Sequence, residues 1–102
     1  MKYRLSRPAK EDLWEIWGYL AEHASLDIAD RVISELHEAM ARLVERPESG
    51  HLRTDLTSEA LRFWRVHSYL VAYLPEARPL VVVRVLHGAR DVKTLLEEEL
   101  EE

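Results

Sequence analysis

Two arginines and a histidine fall within seven positions in Arg84-Val85-Leu86-His87-Gly88-Ala89-Arg90, directly after the apolar run Leu80-Val81-Val82-Val83. Guanidinium and imidazole groups are costly to bury without partners. Their donors suit phosphate, carboxylate or backbone carbonyl acceptors on another molecule. A functional surface is therefore expected where this strand turns into the last helix. Arg62 and Arg65 stand in a second strand-like run, 61–66, and one of them can join Arg84 on a shared face. Arg84 and Arg90 have a structural alternative, pairing with Asp91, Asp55 or Glu59 to hold the sheet to the last helix. His87 reads first as a rim histidine bonded to backbone and second as an acid–base group. The histidines at 23, 37, 51, 67 and 87 show no His-x-x-x-His spacing, and cysteine is absent, so neither a metal nor a cofactor is expected.

The elements that must position these side chains follow from pattern. Tyr3 and Leu5 mark a short first strand ending near Ser6. Pro8 suits the start of a helix, where its missing N–H costs nothing, and Glu11 and Asp12 then fall in the first turn, where the dipole favours carboxylates. Leu13, Ile16, Trp17 and Leu20 share one helical face. Trp14 lies about 100° from Leu13, at the margin of that face, where a partner can reach it. A second helix, capped by Ser25 or Asp27, carries the stripe Ile28, Val32, Leu36, Met40, Leu43 and stops at Pro47. A polar stretch over 51–59 precedes strands at 61–66, 69–74 and 80–86, with turns at His67-Ser68 and 75–79. The last strand is nearly continuous and β-branched, as a doubly covered strand should be. Gly88 breaks it, and Asp91 can cap a final helix through Val92, Leu95, Leu96 and Leu100. The order is β-α-α-β-β-β-α: an α+β fold, a small antiparallel-rich sheet with an N-terminal helical hairpin on one face and a short C-terminal helix.

Strand parity assigns side chains to faces. Val81, Val83 and Val85, with His87 following at the rim, form the better core set, which sends Arg84 to the face away from the hairpin. Parity leaves open which of Arg62 and Arg65 accompanies it.

Composition bounds the class. The 102 residues are 47% hydrophobic and 32% charged, enough for one folded domain over 1–102 and not for two. No apolar run approaches the roughly 20 residues that cross a bilayer, and no secretion signal is visible, so a cytoplasmic protein without a membrane partner is expected. The net charge of −5 is uneven. Residues 1–50 hold 7 basic and 10 acidic side chains, 51–93 hold 7 and 4, and 94–102 hold five glutamates and no base. An acidic chain is a poor general nucleic-acid binder, since that affinity comes from neutralised phosphates, so no direct sequence-specific nucleic-acid binding is expected.

Several fragments, in order, resemble the ParE/RelE superfamily of toxins from bacterial type II toxin–antitoxin pairs, and they span nearly the whole chain. They are Tyr3-x-Leu5-Ser6-x-x-Ala9-x-x-Asp12-Leu13, Ile16-Trp17-x-Tyr19-Leu20, Leu43-x-x-x-Pro47-x-x-Gly50, Leu61-Arg62, Ser68-Tyr69-Leu70-Val71-x-Tyr73, and Arg84-Val85-Leu86-His87-Gly88-Ala89-Arg90-Asp91. The last looks particularly like the ParE branch. RelE-like members cut messenger RNA in the ribosome with clustered basic residues and an acid–base side chain. Those basic positions fall near Arg62, Trp64, Leu70 and Arg90, and the tyrosine of the last helix is matched by Leu95 or Leu96. The resemblance thus implies a ParE-like toxin that inhibits DNA gyrase by binding rather than by catalysis, with Arg62, Arg65, Arg84, His87 and Arg90 facing the target. It also implies a cognate ParD-like antitoxin of the ribbon-helix-helix kind, with Trp14 as its contact. The alternatives are a ribosome-dependent mRNA endonuclease of RelE type, and a degenerate fold kept as a binding module.

Overall fold

The computed structural model describes residues 2–89 and 92–100, with side chains to Glu97. Arg90 and Asp91, assigned above to target contact and to capping, lie outside the described residues. Strand β1 (Tyr3–Leu5) leads into helices α1 (Arg7–His23) and α2 (Leu26–Glu45). A 3-10 turn (Pro47–Ser49) then leads to β2 (His51–Leu52), β3 (Arg62–Val66), β4 (Tyr69–Leu74), β5 (Leu80–His87) and α3 (Val92–Leu100). The sheet order is β1-β5-β4-β3-β2, with β1 parallel to β5 and the other pairs antiparallel. The α+β architecture is the expected one. The two-residue β2 adds a strand at the start of the stretch read as polar loop. His51 and Leu52 are both exposed, which hid any alternation.

Both helices begin at serine caps. Ser6 accepts the Ala9 amide and Ser25 that of Ile28. Helix α1 starts at Arg7, one residue before Pro8, and its first turn holds no acid. Asp12 therefore sits beyond the reach of dipole stabilisation, and it is buried. Along α2 the buried stripe is Ala29, Leu36, Ala39, Met40 and Leu43, whereas Ile28 is 40% exposed.

Two cores sandwich the sheet. The hairpin contributes Ala9, Leu13, Ile16, Leu36, Met40 and Leu43 against Val71, Tyr73, Leu80, Val82 and Val85. On the other face Val92 and Leu96 of α3 cover Leu61, Phe63, Leu70, Ala72, Val83 and Leu86. The face away from the hairpin is thus covered by the last helix.

A β-bulge overturns the parity of β5. Ala72 pairs with Arg84 while Tyr73 pairs with Val82, so Val83 is an extra residue. Before it, Leu80 and Val82 face the hairpin; after it, Val85 does. Val83, expected to face the hairpin, packs with Leu86 beneath α3. A single inserted residue exchanges faces because the side-chain period is two.

Candidate functional site

The second half of β5 lies beyond the reach of the short β1. Ser6 makes the last pairing, its amide donating to the Val82 carbonyl at 3.0 Å and its hydroxyl to the Val83 carbonyl at 2.7 Å. Past that point the Val85 amide would face a vacant sheet edge. The Asp12 carboxylate accepts it at 2.9 Å. The same carboxylate receives Arg84 as a two-pronged fork, Nε at 2.7 Å and Nη2 at 2.8 Å. Arg84 therefore holds α1 to β5, and its side chain is only 14% exposed. Arg84 pairs across the ladder with Ala72 of the α3-side core, and its side chain reaches Asp12 beyond the end of β1; among the described residues its carboxylate partner is Asp12 rather than Asp55 or Glu59.

Arg62 is also turned inward to the protein. It lies on the hairpin face with Trp64, and its Nη1 donates to the Gly50 carbonyl at 2.7 Å and more weakly to that of Glu48. Tyr73 grips the same turn from below. Its hydroxyl donates to the Pro47 carbonyl at 2.6 Å and accepts the Gly50 amide at 2.8 Å. A β-carbon on Gly50 would lie 2.4 Å from that hydroxyl, so the Pro47-x-x-Gly50 spacing is a clasp around Tyr73. Burial pushes the Tyr73 hydroxyl pKa up, and that of Tyr3 and Tyr69 with it.

Arg65 is the exposed cation of this group. It projects on the α3 side of β3, and its guanidinium lies over Gly88, where an added β-carbon would stand 3.4 Å from Nη2. The Gly88 amide donates to the Ser68 carbonyl at 2.8 Å, which seats the turn after β5 on the tip of the β3–β4 hairpin. At that tip His67 has φ 55, a conformation that usually calls for glycine or asparagine, and its ring pairs with Glu35 of α2. His87 lies exposed at the rim, edge-on to Tyr69 with ring centroids 5.4 Å apart. Its Nδ1 accepts the Ala89 amide at 3.1 Å, which puts the neutral ring's proton on Nε2. The ring is thus presented as a hydrogen-bond donor.

The structure brings Arg65 and His87 to one end of the sheet and commits Arg62 and Arg84 to internal bonds. Trp14 is remote from them in role. It is 75% exposed on α1 and stacks on Trp17, whose Nε1 donates to Asp30 at 2.9 Å.

Sequence reasoning missed Asp12, Tyr73 and Glu35 as organising groups. Asp12 carried a signal: it stands four residues before Ile16 and three after Ala9, an acid on the apolar face of α1. Nothing local marks Glu35, whose partner His67 is brought to it only by the fold. Among the described residues no cluster of histidine, aspartate and glutamate fits a metal ion.

Three comparisons place this geometry among known proteins. The family model described as the ParE toxin of type II toxin-antitoxin system, parDE, matches residues 3–92. Toxin ParE1 of Caulobacter vibrioides is 31% identical over 94 residues, spanning 92% of this chain and 96% of that protein. A chain of the solved chromosomal ParDE TA system from P. aeruginosa shares the fold with a TM-score of 0.72 at 15% identity, covering 85% of this chain and 95% of that one.

Proposed function

Because the chain belongs to the ParE toxin family of type II toxin–antitoxin systems, we propose that it inhibits DNA gyrase by binding and is neutralised by a cognate ParD-like antitoxin. The observation that carries this reading over a ribonuclease is the state of the positions where a RelE-type site needs charge. Leu70 and Leu96 are buried in the second core, Leu95 packs against it, and Trp64 is half-buried and stacks on His51. Apolar side chains in those places supply neither a cation for a developing phosphate charge nor a proton. Arg62, at a further such position, is held through its Nη1 by the backbone carbonyls of Gly50 and Glu48.

The proposed target surface is the exposed end of the sheet, Arg65 and His87; Arg90 is kept in the proposal on the family motif. Arg62 and Arg84 support it from within. Trp14 is the proposed antitoxin contact, since an indole so exposed on a helix offers a partner a large apolar area with one polar handle. No helix among the described residues is long and apolar enough to cross a membrane, which suits a target and an antitoxin met away from the bilayer.

The test is a supercoiling and cleavage assay with purified gyrase and plasmid DNA, beside a ribosome-programmed mRNA cleavage assay. Lost supercoiling with accumulating linear DNA and intact mRNA is the expected result. Codon-positioned cuts with gyrase unaffected would transfer the protein to the nuclease reading and make His87 the first residue to replace.

A further inference from the structure

Between α1, α2 and the tip of the β3–β4 hairpin lies a groove of about 580 Å³, within the roughly 300–1,000 Å³ typical of sites for small ligands or single anchoring side chains. Its floor is apolar, built from Ile16, Leu20, Val32 and Val85. Its walls carry the rings of Tyr19, which stacks on His23, and of Tyr69, which meets His87 edge-on at the rim, and the carboxylates of Asp12 and Glu15. Asp12 is neutralised by Arg84. Glu15 has no hydrogen-bond or ion-pair partner among the described residues, and neither lysine nor arginine is among the described residues that line the groove. His67 at the mouth is matched by Glu35.

The sign of this lining selects the ligand. A phosphate or carboxylate would find one donor, the His87 ring at the rim, and would meet an unpaired carboxylate and the electron-rich phenol rings farther in. A neutral apolar group would fill the floor and leave Glu15 unused. A cation on a methylene stem satisfies both parts, its stem on the floor and its charge between Glu15 and the rings. Guanidinium fits better than ammonium, being planar, able to stack on tyrosine and able to fork onto a carboxylate.

We propose that this groove receives an arginine side chain from a protein partner, flanked in that partner by apolar residues. The inference does not depend on gyrase being the target. The groove and the surface assigned to the target meet at His87, but Glu15 and Tyr19, which carry the inference, lie outside that surface.

The experiment uses the intact protein, 15N-labelled, titrated with the blocked tripeptide Leu-Arg-Leu. Comparison peptides replace arginine by citrulline, which keeps shape and loses charge, or by glutamate. The arginine peptide is expected to shift the amides of Tyr19, Tyr69 and Val85 with roughly millimolar affinity, weakened about tenfold by citrulline. Glu15→Gln and Tyr19→Leu, both at exposed positions, should each weaken it about two- to fivefold. Equal binding of the citrulline or glutamate peptide would overturn the assignment of charge. Butylguanidinium binding as tightly as the peptide would replace the protein partner by a free small cation. An absence of shifts up to about 10 mM would remove the site.

Discussion

A guanidinium can face a target or hold its own fold together, and in this chain its neighbours decide. Arg84 meets Asp12 where both are nearly buried and where the Val85 amide needs the same carboxylate. Arg84→Met would leave that carboxylate charged and uncompensated, at an expected cost of about 3 kcal/mol in urea unfolding. The double variant Asp12→Leu/Arg84→Met removes both charges and strands only one amide, so it should lose less, about 1–3 kcal/mol. Tyr73 makes a second residue-scale prediction. Its pKa, like those of Tyr3 and Tyr69, is raised by burial, so the folded chain holds these protons more tightly than the unfolded one. That stability is complete below about pH 10 and is lost as pH rises through the higher folded values. Tyr73→Phe should cost about 1–3 kcal/mol at neutral pH by stranding the Pro47 carbonyl and Gly50 amide. It should also flatten the alkaline decline, measured as unfolding free energy between about pH 9 and 11.

At the scale of elements, α1 carries more of the design than its amphipathic pattern shows. Ser6 caps it while bonding the Val83 carbonyl, Ala9 lets it approach the sheet, and Asp12 completes the edge of β5. The motif Ser6-x-x-Ala9-x-x-Asp12 is one line of attachment between helix and sheet. Gly18 takes no part in it, since a β-carbon there meets nothing within 4 Å. Gly18→Ala should stabilise the helix by about 1 kcal/mol and raise Tm by about 4–8 °C in calorimetry. The element order and strand limits were legible because hydrophobic periodicity and the Pro47, Gly50 and 75–79 punctuation are local signals. The bulge at Val83 was not, because Val81, Val82 and Val83 are equally apolar and nothing in them says where the ladder slips.

The whole molecule is a three-layer stack, hairpin on sheet on α3, with extents of 36 × 31 × 21 Å. Its charge of −5 is uneven along the sequence, with the basic surplus over 51–93, so attraction for an acidic target is expected from that half of the chain. On this reading Arg65 is the residue to reverse. Arg65→Glu is expected to leave stability within about 0.5 kcal/mol, because the side chain is exposed, and to weaken inhibition of supercoiling by about tenfold or more. Unchanged inhibition with an intact fold would remove Arg65 from the target surface.

The chain's own pattern determined the α+β class, the hairpin and the three longer strands at 61–66, 69–74 and 80–86. Those depend on period, caps and breakers, which act over a few residues. The ordered fragments from Tyr3 to Asp91 carried the family resemblance for the same reason: their spacing is set by local geometry. Which arginines are available for a partner was decided only by the tertiary structure. Asp12 and Arg84 are 72 positions apart and Arg62 and Gly50 are 12 apart. A guanidinium in the sequence does not reveal whether a carboxylate or a carbonyl waits for it across the fold.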